Sequence, residues 1–257
     1  VIGTGIRMRR LFRRDGLSFM AGMDASAIYG PQGWLAQPEL FCKALSYGGV
    51  DALILTKGQI SRHFDAVQPN VGIILRISGG YTSLRDLSSY EEMILSDPDT
   101  ALSLGADAII VNMKLGHENE TQAIMNTSAA ADACRRIGLP LIVEVTAERE
   151  GVPLRFDPEA MKISMRVAED LGATVVVAGY TGSAESFEAV INTCSCPVIA
   201  ILPERSPSPQ EMINNIVNAL KAGARGILLS RSLWTAEDPH KKVREISKLV
   251  HQRKRQK

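Results

Sequence analysis

Four segments of the chain share one beat: a glycine joint that ends a helix, followed at once by an apolar run. They are Tyr47-Gly-Gly-Val-Asp-Ala-Leu-Ile-Leu55, Leu104-Gly-Ala-Asp-Ala-Ile-Ile-Val111, Leu171-Gly-Ala-Thr-Val-Val-Val-Ala-Gly-Tyr-Thr-Gly182 and Ala222-Gly-Ala-Arg-Gly-Ile-Leu-Leu229. Between them stand proline-bearing leads, Pro69, Pro140 and Pro197, each opening a further apolar run: Val71–Ile77, Leu141–Val145 and Val198–Leu202. With Leu17–Met23 in front, eight β-runs alternate with helical stretches. Runs this apolar, with little alternation, belong to a parallel sheet covered on both faces. Right-handed βα crossovers repeated eight times close into a barrel, and 257 residues suit one such barrel. The expectation is α/β, a single (β/α)8 TIM barrel spanning 1–257. A doubly wound open sheet would want a Gly-x-Gly-x-x-Gly turn after the first strand, and that turn is absent.

Helix starts are written in proline and side-chain caps. Asp97-Pro98, Asp157-Pro158 and Ser208-Pro209 with Glu211 each combine a capping oxygen with proline in the first turn. Residues 5–16 read as a short basic helix seated by Ile6, Met8 and Phe12, with Arg7, Arg9, Arg10, Arg13 and Arg14 in water. At the other end Val243, Ile246, Leu249 and Val250 form a stripe at helical spacing, so a last barrel helix is expected ahead of a basic tail, 251–257.

Composition narrows the function classes. A net charge of +1 with 22% charged residues argues against nucleic-acid binding, whose phosphate contacts need a basic face. No apolar run approaches the ~20 residues of a membrane helix. The first residues lack an apolar signal core, so a cytoplasmic protein is expected. The four cysteines, Cys42, Cys134, Cys194 and Cys196, make no metal pattern: Cys194-Ser-Cys196 lacks a second pair or nearby histidines. His63 with Asp65 makes none either. Neither metal nor cofactor is expected.

Chemistry in such barrels sits at the C-terminal ends of the strands. Those positions are Asp24, Lys57, Ser78-Gly79-Gly80, Lys114, Glu144 or Thr146, Tyr180, Glu204 with Arg205, and Ser230 with Arg231. Lysines, carboxylates, an arginine and glycine turns suit a small anionic carbonyl compound. A desolvated lysine can form an imine, a carboxylate beside it can move protons, and backbone amides with a guanidinium can hold an anion. Plainer roles stand beside these. Asp24 could cap a loop, Lys57 and Lys114 could reach solvent or pair with Glu144, Tyr180 could pack at the rim, and Arg231 could join a surface ion pair.

These residues also carry a resemblance. Gly5-Ile-Arg-Met-Arg-Arg-Leu-Phe12, Met23-Asp24, Asp51-Ala-Leu-Ile-Leu-Thr-Lys-Gly58, Ile77-Ser-Gly-Gly80, Leu115-Gly-x-Glu118, Tyr180-Thr-Gly-x-x-Glu-Ser-Phe187, and Arg231 with Asp238-Pro239 follow one another in order. Together with the Leu-Gly-Ala joints they resemble the DeoC/LacD-like class I aldolases. The branch is that of archaeal-type fructose-bisphosphate aldolase, aminodideoxyheptulosonate synthase and the autoinducer-2 phosphate thiolase. The resemblance implies a strand-six lysine that forms an imine, a strand-one aspartate, a strand-five tyrosine and a homo-oligomer. Asp24 matches the aspartate. The lysine of Val-Lys-Thr-Asn-Tyr-Thr-Gly falls on Val177, the tyrosine on Thr146, a Gly-Gly phosphate turn on Ile201-Leu202, and the glycine before the strand-eight arginine on Ser230.

Valine forms no imine. Three readings follow: the nucleophile has moved to Lys114 or Lys57 with Asp24 as acid/base, or carbon–carbon or proton-transfer chemistry proceeds without an imine through Asp24, Glu144 and a lysine acting as electrophile, or the barrel is inactive and binds a metabolite or protein partner. Catalytic candidates are Asp24, Lys57, Lys114 and Glu144. Binding candidates are Ser78, Gly79, Gly80, Tyr180, Arg205, Ser230 and Arg231.

Overall fold

Apolar runs four to nine residues long become strands here, and the order in which they pair leaves no edge. The computed structural model describes residues 1–85, 92–203 and 208–251. Its barrel strands are β1 (Ser18–Gly22), β2 (Ala52–Leu55), β3 (Gly72–Arg76), β4 (Ala108–Leu115), β5 (Leu141–Arg149), β6 (Val175–Gly179), β7 (Val198–Ile201) and β8 (Gly226–Leu229). Each pairs in parallel with the next, and β8 returns to β1 with Phe19 opposite Ile227. Closure satisfies every strand's ladder on both sides. The barrel expected from the sequence is the barrel observed.

Side chains alternate between two cores, as strand periodicity requires. One set, including Met20, Ile54, Ile74, Ile110, Ile142 and Val177, fills the barrel axis. The other, including Phe19, Leu53, Leu75, Ile109, Val143 and Val176, packs under the surrounding helices. Burying each such side chain contributes roughly 1.5–3 kcal/mol. The helix starts lie where proline and caps mark them. Asp97, Asp157 and Ser208 accept hydrogen bonds from the amides of Thr100, Ala160 and Glu211 at 2.6, 2.8 and 3.2 Å.

The N-terminal helix corrects the sequence reading. It spans Ile2–Leu11 rather than 5–16, and Phe12 is extended. Ile6 is exposed, while the fully buried residue is Leu11, which joins the axial core and stoppers the N-terminal end of the barrel. Three of the arginines in this segment also make bonds, Arg10 and Arg13 while staying exposed. Arg7 donates to the Gly138 carbonyl at 3.0 Å, Arg10 pairs with Asp107 at 2.8 Å, and Arg13 pairs with Asp51. The reason lies in the strands: buried Asp51 and Asp107 accept from the Phe19 and Ile73 amides, and their charge needs a cation. The C-terminal helix, Pro239–His251, buries Val243, Ile246 and Val250 as its stripe predicts. It ends with His251 between Asp15 at 2.7 Å and Asp51 at 2.9 Å. Among the described residues no helix is long and apolar enough to cross a membrane.

Candidate active site

Counting by two along the inward positions of each strand leads from the apolar axis to its polar mouth. After Met20 come Gly22 and Asp24; after Ile74, Arg76 and Ser78; after Ile110, Asn112; after Ile142, Glu144 and Thr146; after Leu228, Ser230. These side chains line one cavity of about 880 Å³ at the C-terminal end of the barrel, with Lys57, Gly79, Gly80, Glu92, Arg155 and Arg231 around it.

A chain of alternating charges crosses its floor. Arg76 Nε donates to Asp24 Oδ2 at 2.7 Å, and its Nη2 donates to Glu144 Oε2 at 2.6 Å. Arg155 Nη2 takes the other Glu144 oxygen at 2.5 Å. Burial pushes the Glu144 carboxyl up, but the two guanidinium groups outweigh it and hold it below the usual carboxylate range. Burial likewise opposes the charge on Arg76, and Asp24, Glu144 and Glu92 more than restore it. Glu144 is therefore a committed anion that positions two arginines.

A second, hydrogen-bonded chain lies beside the first. Ser78 Oγ donates to Glu92 Oε2 at 2.5 Å, and Asn112 Nδ2 donates to Glu92 Oε1 at 2.8 Å. Thr146 Oγ1 donates to Asn112 Oδ1 at 3.0 Å. Burial pushes the Glu92 carboxyl up, and the nearby Arg76 charge and these donors only partly offset it. Burial thus makes Glu92 a weaker acid than an ordinary glutamate.

Arg155 reaches the floor because β5 outruns the barrel. Past the rim it turns back as a hairpin, Glu148 and Arg149 pairing with Pro153 and Val152. The tight turn uses Glu150 at φ 51° and Gly151 at φ 79°. The returning chain crosses β6 so closely that a Cβ on Gly179 would stand 1.9 Å from the Arg155 carbonyl oxygen. Val177, two residues earlier and fully buried, lies opposite Glu144 in register. Where the resemblance puts an amine on β6, this chain has an apolar floor, a glycine and an arginine delivered from the neighbouring loop.

Asp24, Lys57, Ser78, Gly79, Gly80, Glu144, Ser230 and Arg231 thus share one cavity. Lys57 is exposed at its rim and donates to the Leu95 carbonyl at 3.3 Å. The Arg231 guanidinium lies over the rings of Tyr29 and Trp234, 4.8 and 5.3 Å from their centroids. Two expectations are corrected. Lys114 is not among the residues lining the Asp24 cavity: it stands one inward position beyond Asn112, pairs with Glu148 at 2.7 Å, and lines an adjoining cavity of about 230 Å³ that shares Glu92 and Asn112 with the first. Tyr180 has the outward parity of Val176 and Ala178, so it is buried edge-on against Phe187 at 5.4 Å. Arg205 lies outside the described residues, as does Glu204.

Four residues of the cavity were not foreseen. Arg76 and Asn112 had a signal, since each is a polar inward position at the end of an apolar strand. Glu92 and Arg155 come from loops, where no periodicity points.

Comparison with known proteins agrees with this architecture. The chain belongs to the DeoC/LacD family of aldolases, whose sequence profile matches residues 15–236. It is 28% identical over 263 residues to an uncharacterized aldolase of Saccharolobus solfataricus, covering 98% of this chain and 96% of that one. It is 27% identical over 248 residues to the 2-amino-4,5-dihydroxy-6-oxo-7-(phosphonooxy)heptanoate synthase of Streptomyces griseus, covering 96% and 89%. Among solved structures, an archaeal fructose 1,6-bisphosphate aldolase superposes with TM-score 0.88 at 23% identity, covering 97% of this chain and 100% of that one. A Schiff-base-forming fructose-1,6-bisphosphate aldolase superposes with TM-score 0.87 at 24% identity, covering 96% and 100%.

Proposed function

We propose that this chain is an aldolase-family enzyme that makes or breaks a carbon–carbon bond beside the carbonyl of a small anionic compound, without an imine. The observation that carries this reading is the Asp24–Arg76–Glu144–Arg155 chain at the cavity floor, next to a β6 whose inward residue is Val177. Lys57, Arg76, Arg155 and Arg231 outnumber the carboxyl groups Asp24, Glu92 and Glu144, so the cavity is net positive and fits an anion. Arg155 Nε is buried without a hydrogen-bond partner among the described residues, a donor in reserve.

In the cleavage direction, Asp24 removes the proton of the hydroxyl one carbon beyond the carbonyl's neighbour. The carbon–carbon bond breaks, its electrons moving onto the carbonyl oxygen, and the first product leaves as an aldehyde or ketone. The enolate left behind is stabilised by guanidinium charge. Asp24 then returns its proton to the enolate carbon. Prepositioned charge of this kind stabilises a developing oxyanion without reorganisation, and a positioned acid/base typically contributes 10²–10⁴-fold. Lys57, exposed at the rim, suits anchoring a phosphate or carboxylate better than forming an imine.

The test pairs borohydride trapping with solvent exchange, using dihydroxyacetone phosphate and pyruvate. The expected results are no covalent adduct, deuterium entering the carbon beside the carbonyl, and at least about a hundredfold loss of exchange in Asp24→Asn. A reduced adduct on Lys57 or Lys114 would overturn the imine-free route. Absence of exchange with every small anionic carbonyl compound tried would leave the barrel as a binding protein.

A further inference from the structure

We propose that Glu169, Cys194 and Cys196 form a binding site for a thiophilic divalent cation such as zinc, on the barrel face opposite the catalytic cavity. In sequence the two cysteines are an isolated Cys-Ser-Cys. Folding supplies the third ligand: Glu169 is the penultimate residue of the helix Pro158–Asp170, and the cysteines stand in the turn that leads into β7. One carboxylate oxygen and the two sulfurs lie within 4.8 Å of one another.

The carboxylate is aimed at this turn by a specific bond. The Ser195 amide, between the two thiols, donates to Glu169 Oε1 at 2.9 Å. The other oxygen, Oε2, is buried and has no hydrogen-bond partner among the described residues, with the Arg166 guanidinium 3.7 Å away. A buried acceptor without a hydrogen bond is costly and calls for a ligand. The sulfurs interact with each other's turn and with the helix end: Cys196 Sγ lies 3.1 Å from the Ala173 carbonyl oxygen.

Two thiolates and a carboxylate are a soft, anionic donor set suited to zinc, whose bonds of about 2.0–2.3 Å put tetrahedral ligands roughly 3.7 Å apart. Rotation of two half-buried thiols closes the remaining distance. A fourth position stays open to water. Occupancy would clamp the end of one helix to the start of the next strand, so metal binding contributes folding stability directly.

The site is tested on the whole reduced chain by titration with cadmium, reading the thiolate-to-metal absorption band and competing it with zinc. A saturable band at one metal per chain is expected, lost in Cys194→Ser and in Cys196→Ser, and about tenfold weaker or more in Glu169→Gln. Zinc should also shield both thiols from iodoacetamide in the unaltered chain, read by peptide mass spectrometry, so the outcome does not depend on the variants folding. Equal alkylation with and without zinc, or a band that survives either serine variant, overturns the site. An unchanged affinity in Glu169→Gln overturns the three-ligand assignment.

Discussion

Replacing Arg76 by methionine isolates the floor of the cavity. The variant keeps an unbranched apolar stem and removes the guanidinium that bonds Asp24 at 2.7 Å and Glu144 at 2.6 Å. At an effective dielectric of about 20 and a charge separation of about 4 Å, each pair is worth about 4 kcal/mol before desolvation. Desolvation offsets much of that and Glu144 keeps Arg155, yet breaking a buried pair by removing one partner, here the cation of Asp24, typically costs about 3–5 kcal/mol. With a guanidinium m-value of about 4 kcal/mol/M, the unfolding midpoint should fall by about 1 M at pH 7.5. The deficit should depend on pH. In the unaltered chain Glu144 titrates below its ordinary value, so its contribution is complete above the unfolded carboxylate value and is lost as pH falls through the folded one. Without Arg76 the carboxylates it held are relieved by protonation, so the two stability curves converge toward pH 5. A deficit under about 1 kcal/mol, or one equal at pH 5 and 7.5, would refute the claim that these ion pairs organise the mouth.

Gly179→Ala should push the Arg155 loop off β6, because its Cβ would meet the Arg155 carbonyl at 1.9 Å and the Phe156 ring at 2.9 Å. Overpacking of this kind costs about 1–3 kcal/mol, read as a lower melting temperature and faster proteolysis after Arg155; an unshifted melt contradicts the close crossing. His251 gives a second pH signature at the opposite face. Burial pushes its pKa down, but hydrogen bonds to Asp51 and Asp15 outweigh this and raise it. Its stabilisation is therefore full below the unfolded histidine value of about 6.5 and lost as pH rises through the folded value. His251→Gln should lose roughly 1.5–3 kcal/mol at pH 6 and much less at pH 9 in urea denaturation. A loss that does not vary with pH would show that the imidazolium plays no part.

Periodicity and punctuation made most of the architecture legible from the chain alone. Glycine joints and proline leads preceded seven of the eight barrel strands, and Asp97, Asp157 and Ser208 announced helix starts that the structure contains, because caps and backbone conformations are local properties. The first helix was misread for the opposite reason. Its arginines look solvated in sequence, and only the folded barrel brings buried Asp51 and Asp107 beneath them. Asp24, Lys57, Glu144 and the Ser78-Gly79-Gly80 turn could be found as strand ends. Lys114 shows the limit of that rule: it has inward parity, but β4 continues past the mouth and carries it into an adjoining cavity.

What the sequence by itself determined is a (β/α)8 barrel, since that follows from residue order and a period of two; that Val177 falls where an imine-forming lysine is expected is what the family resemblance implies. What only tertiary structure decided is the company kept at the mouth. Arg155 arrives from a hairpin and Glu92 from a loop, 11 to 20 residues from the partners they bond, and the placement of Arg155 depends on the backbone crossing at Gly179. The charge at a site is the sum of groups gathered from distant segments, and no local pattern encodes that sum.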